Sequence, residues 1–115
     1  MSIVLYGIAN CDTIKKARRF LENKGVDYTF HDYRKDGIDN KLLNNFLAQL
    51  DWQDLLNRRG TTWRKLDDAT KDNINKTTAK KIMLEQPAII KRPVLLKDKK
   101  YYLGFSEASY KELFN

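Results

Sequence analysis

With 115 residues, the chain has room for one domain, since domains run to about 100–200 residues. Its 42% hydrophobic content, with only two Pro and five Gly, excludes disordered, collagen-like and low-complexity classes. A net charge of +7, from 22 Lys and Arg against 15 Asp and Glu, favours anionic partners. The cations, however, are scattered in pairs (Lys15-Lys16, Lys80-Lys81, Lys99-Lys100), with no block of the kind that marks a nucleic-acid tail, so nucleic acid is disfavoured.

The elements follow in order. Ile3-Val4-Leu5-Tyr6, closed by Gly7, is a short apolar run that predicts a strand buried on both faces. Ile14, Ala17, Phe20 and Leu21 then recur at helical spacing, with Asn10 or Asp12 as cap and Gly25 just past the end. Val26 to Tyr33 alternates and predicts a second strand, which completes a βαβ unit with parallel strands. From Asn40 to Leu84 the pattern is helical, with stripes at Leu42-Leu43, Phe46-Leu47 and Leu50, then Trp52 and Leu55-Leu56. Thr77 or Thr78 caps a helix that Pro87 ends. Pro93–Lys97 and Lys100–Leu103 flank Asp98-Lys99 as a two-residue hairpin, and Ser106 caps a final helix. The fold class is α/β: one small mixed sheet with flanking helices.

No apolar run approaches the roughly 18 residues that span a bilayer. Met1–Tyr6 lacks the basic start of a signal peptide, so a cytoplasmic protein with no membrane partner is expected. Cys11 is the single cysteine, which excludes an internal disulfide framework and a Cys-rich zinc site. No carboxylate cluster with ligand spacing and no Gly-rich phosphate loop is present, so no metal and no bound cofactor is expected. Any redox chemistry is therefore monothiol.

Cys11 follows a buried strand and opens a helix. Unpaired N–H groups and the positive dipole end there favour the thiolate. Asp12, one residue on, brings a carboxylate that opposes this if it faces the sulfur. His31, the only histidine, falls on the alternating strand, where it faces solvent or a carboxylate. Asn57-Arg58-Arg59-Gly60-Thr61-Thr62 gathers donors suited to an anion.

Four segments together resemble the arsenate reductase (ArsC)/Spx family, closest to its bacterial YffB-type branch. They are Asn10-Cys11-Asp12-Thr13-Ile14-Lys15-Lys16-Ala17, the stretch Leu55 to Leu66, Lys91-Arg92-Pro93-Val94, and Gly104-Phe105-Ser106-Glu107-Ala108. The resemblance implies a thioredoxin-like fold over residues 1–115 as a single domain, with 40–90 as a helical insertion. It implies a cis peptide before Pro93, packed against the active-site Cys11.

For activity, the resemblance implies a glutathione-dependent thiol reductase with Cys11 as nucleophile. Asn10, Asp12, Thr13, Arg58, Arg59, Arg92 and Pro93 are then the candidates to hold glutathione or an anionic substrate. Glutathione is the expected co-substrate, and glutathione or a glutaredoxin the expected partner, together with an unidentified oxidised or anionic substrate. Arsenate reductases of this family use one cysteine and three arginines. Here Arg92 matches one arginine, while Asn57 and Gly104 stand at the other two positions. Each charge-assisted hydrogen bond contributes roughly 1.5–3 kcal/mol, so arsenate reduction is at most weak. The Spx regulators carry Cys-x-x-Cys, and Ile14 stands at the second position here. A Spx-like interaction module with an idle Cys11 is the alternative reading.

Overall fold

The computed structural model describes residues 2–115, in two compact units. One unit runs up to Gly37 and resumes at Arg92–Asn115; the other is Ile38–Lys91. Among the described residues, no helix is long and apolar enough to cross a membrane.

The first unit is built on a four-stranded sheet in the order β2-β1-β3-β4. Its strands are β1 (Val4–Gly7), β2 (Thr29–Asp32), β3 (Val94–Lys97) and β4 (Lys100–Leu103). β1 pairs in parallel with β2, Val4 facing Thr29, and antiparallel with β3, Tyr6 facing Val94. β3 and β4 form the hairpin expected from Asp98-Lys99, whose φ angles of 53° and 67° are those of a primed two-residue turn. The sheet is therefore mixed, as expected, and this strand order with helices against it is the thioredoxin-like arrangement.

Helix α1 (Asp12–Asn23) turns Ile14, Ala17 and Leu21 inward. Leu5 and Leu95 from adjacent strands, Ala17 and Leu21 from α1, and Tyr110 from the C-terminal helix α7 (Glu107–Leu113) form the core of this face. Phe20, Phe105 and Tyr110 meet edge to face, with centroids 4.7 to 6.2 Å apart, the geometry that ring quadrupoles favour.

β2 starts at Thr29, three residues later than the alternation of Val26 to Tyr33 suggests. The reason lies in the turn before it. Gly25 adopts φ +70° beyond the end of α1, and the Val26 N–H is bonded back to the Leu21 carbonyl at 3.0 Å. Val26 therefore closes the helix, and the ladder begins only where β1 offers a partner.

The second unit is helical: α2 (Asn40–Gln49), α3 (Trp52–Leu55), α4 (Thr61–Arg64), α5 (Asp68–Asp72), α6 (Lys76–Glu85) and a 3-10 turn, Pro87–Ile89. Leu43, Phe46, Leu55, Ala79, Met83, Ile89 and Ile90 are its most buried side chains. Two details depart from the sequence reading. Asn75, and neither Thr77 nor Thr78, caps α6; Thr78 instead completes the reciprocal capping box. The wholly helical stretch also contains one antiparallel bridge, Leu56 to Ile90.

Candidate functional site

The end of β1 and the start of α1 set the geometry around Cys11. Gly7, last in β1, is buried, and a Cβ there would collide with Ile14 Cδ1. Its bare backbone lets the first turn of α1 lie against the strand, with the Arg92 stem 3.8 Å from where that Cβ would stand. The Cys11 N–H donates to the Ala9 carbonyl at 3.0 Å, and the Cys11 carbonyl accepts the first helical bond, from Lys15, at 2.9 Å.

Cys11 is itself the N-cap residue, so neither Asn10 nor Asp12 takes the capping position expected from sequence. Its side chain makes no cap hydrogen bond. The amides of Thr13 and Ile14 are thereby left to favour the thiolate form. Partial burial of the sulfur pushes the thiol upward. The Ile14 N–H, the Arg92 guanidinium (by hydrogen bond and by charge) and the Thr13 N–H outweigh it, and the thiol lies below the ordinary 9.0. Asp12 is exposed and is not among the groups acting on the sulfur. The opposition expected from its carboxylate is absent because the side chain lies on the solvent side of the first turn. There it still complements the helix dipole.

Arg92 arrives through β3. The Arg92-Pro93 peptide is cis, as the resemblance implies. Pro93 is buried, and its carbonyl accepts the Gly104 N–H at 2.9 Å, which ties the head of β3 to the end of β4. Gly104 has φ +84°, a conformation side chains rarely adopt. Its role is this turn, and it supplies no cation.

Several predicted site residues lie in the second unit. The Asn57 side chain accepts the Arg59 N–H at 3.0 Å, a local turn that leaves no charge at that position. The Arg58 guanidinium lies 5.4 Å from the centre of the Trp63 ring, a cation–π distance. Arg59 is exposed, and its carbonyl accepts from Arg64 at 3.1 Å.

Sequence reasoning missed the aromatic cluster on the face of the sheet opposite α1. Tyr6 stacks with His31, centroids 5.0 Å apart, and with Tyr101 at 6.3 Å. Burial, with Tyr101 beside it, pushes Tyr6 up to about 12. Tyr33 is buried with its hydroxyl unpartnered; burial raises it strongly, and the nearby Arg92 charge only partly offsets this. The alternation of β2 already put His31 and Tyr33 on one face, but nothing local links them to Arg92. Among the described residues, no group of His, Cys, Asp and Glu is arranged to hold a metal ion.

Comparison with known proteins decides the family. The family model described as ArsC family matches residues 6–113. The chain belongs to the ArsC family. A solved structure of a YffB protein is 46% identical, covers 99% of this chain and 100% of its own, and superposes with a TM-score of 0.93. An arsenate reductase (ArsC) related protein from Brucella melitensis is 50% identical over 100% of this chain and 96% of its own, with a TM-score of 0.83. An uncharacterized protein from Haemophilus influenzae is 45% identical over 112 residues, 97% of this chain and 98% of its own length.

Proposed function

We propose that the protein is a monothiol, glutathione-dependent thiol reductase with Cys11 as its nucleophile. The observation that carries this reading is the Cys11 sulfur at the start of α1, with the Arg92 guanidinium and the Thr13 and Ile14 amides favouring its anion. The thiolate is the attacking form in disulfide exchange. A glutathionylated substrate thiol provides a balanced cycle. The Cys11 thiolate attacks the glutathione sulfur, the mixed disulfide breaks, and the substrate leaves as a thiolate that takes up a proton. Free glutathione, as thiolate, then attacks the Cys11–glutathione bond. Glutathione disulfide is released and Cys11 restored.

Arg92 has two roles in this reading. Its charge lowers the cost of the thiolate, and its planar fork suits a glutathione carboxylate. Thr13 contributes its amide to the same anion. A sulfur substrate is favoured over arsenate because neither Asn57 nor Gly104 offers a charge to an oxyanion. The test is mass spectrometry of the protein incubated with oxidised glutathione at neutral pH, with Cys11→Ser as control. An adduct on Cys11 is expected. An unmodified Cys11, under conditions where a free cysteine peptide reacts, would overturn the reading and favour the interaction-module alternative.

A further inference from the structure

A groove of about 780 Å³ runs along α1 from its first turn toward its end, walled on the other side by the start of α7. It begins at Thr13, two residues from Cys11, and continues past Lys16, Arg19 and Lys24. Its apolar floor is Phe20 and Phe105, which pack edge to face at 6.2 Å. Three cations thus line a groove with one carboxylate, Glu107. Among the described residues, none of those three cations is engaged in an ion pair. Positions three, four and seven apart share one helix face, so Thr13, Lys16, Phe20 and Asn23 make a continuous stripe.

We propose that this groove docks an acidic segment of the protein whose glutathionylated cysteine Cys11 reduces. This deepens the monothiol reading and rests on it. The charge pattern selects carboxylates, and the Phe20–Phe105 floor selects one apolar or aromatic side chain between them. From Thr13 to Lys24 the helix advances roughly 16 Å at 1.5 Å per residue, the reach of about five extended residues. The occupant is therefore a short extended peptide with acidic side chains on either side of one apolar or aromatic side chain. It lies beside the reacting cysteine, which the groove delivers to the Cys11 end. A single inorganic anion would leave most of the groove empty.

The test separates the groove from the chemistry. The 15N-labelled protein is titrated with the cysteine-free peptide Asp-Glu-Phe-Asp-Ser-Asp and with its amide counterpart Asn-Gln-Phe-Asn-Ser-Asn. Expected are shifts clustered at Thr13 to Lys24 and Phe105 to Glu107, with the acidic peptide binding at least about tenfold tighter at low salt. Lys16→Gln/Arg19→Gln/Lys24→Gln should abolish that preference. The charge-matched control Lys76→Gln/Lys80→Gln/Lys81→Gln should retain it, which removes overall charge as the explanation. Equal binding of the two peptides, shifts centred elsewhere, or equal loss in both triple variants would overturn the proposal. Neither readout needs a reactive thiol. Failure of the glutathione adduct with groove binding intact defeats the reductase reading alone, and the reverse outcome defeats the groove alone.

Discussion

Arg92, immediately before Pro93 at the head of β3, carries the guanidinium charge that favours the thiolate of Cys11 at the start of α1. The two residues are distant in sequence and meet because β3 pairs antiparallel with β1, the strand that leads into the cysteine loop. A fixed positive charge beside a helix-start sulfur stabilises an anion there, which is the condition for nucleophilic sulfur chemistry.

Cys11 should therefore be alkylated by iodoacetamide with a pH midpoint below the ordinary thiol value of 9.0. Arg92→Ala should raise that midpoint. Arg92→Lys should restore most of the effect on the thiol while restoring glutathione binding less well, because an ammonium lacks the bidentate fork. A midpoint unchanged in Arg92→Ala would remove Arg92 from the site.

The same shift has a consequence for stability, with a definite sign. The folded-state thiol lies below its unfolded value, so the stabilisation is complete above about pH 9 and is lost as pH falls through the folded-state value. Unfolding free energies measured across that window should show the parent protein gaining on Cys11→Ser as pH rises. Parallel curves would contradict the placement of the sulfur.

Asp12→Asn should leave the alkylation midpoint of Cys11 where it is, since Asp12 is exposed and does not act on the sulfur. The substitution should cost about 0.3–1 kcal/mol of stability by removing a carboxylate from the first turn of α1. A fall in the midpoint would mean that the carboxylate faces the thiol.

Gly7→Ala should destabilise the protein by about 1–3 kcal/mol in thermal or urea unfolding, because the added methyl meets fully buried Ile14. Ile14→Val removes the Cδ1 atom at the point of collision, and alone should cost about 0.5–1.5 kcal/mol. The double variant should be more stable than the sum of the two single effects predicts. Simple additivity would show that Gly7 is not held against Ile14.

Tyr110→Phe should be close to neutral or slightly stabilising. The Tyr110 hydroxyl is buried without a hydrogen-bond partner, so its removal sacrifices no bond and relieves a desolvated polar atom. Tyr110→Ala, by contrast, empties the ring cluster with Phe20, Phe105 and Phe114 and should cost about 3–5 kcal/mol. A large loss in Tyr110→Phe would reveal an unrecognised partner for the hydroxyl.

Much of this was legible in the sequence because it is local. The apolar run before Gly7, the 3.6-residue spacing of Ile14, Ala17 and Leu21, the Asp98-Lys99 turn and the Ser106 cap each depend on residues within a few positions of one another. So did the prominence of Cys11, since a strand followed at once by a helix places a cysteine between them at a helix start. Tertiary structure decided what depends on residues far apart. Which residue charges the sulfur was settled by the β1–β3 pairing, which brings Arg92 to it and leaves Asp12 in solvent. Where β2 begins was settled by the partner β1 provides, against an alternation that ran on through Val26. The Phe20–Phe105 floor and its unneutralised cations exist because α7 packs beside α1. Spacing along a chain reports one element's own face, but the neighbour that face meets is chosen by the packing of the whole sheet.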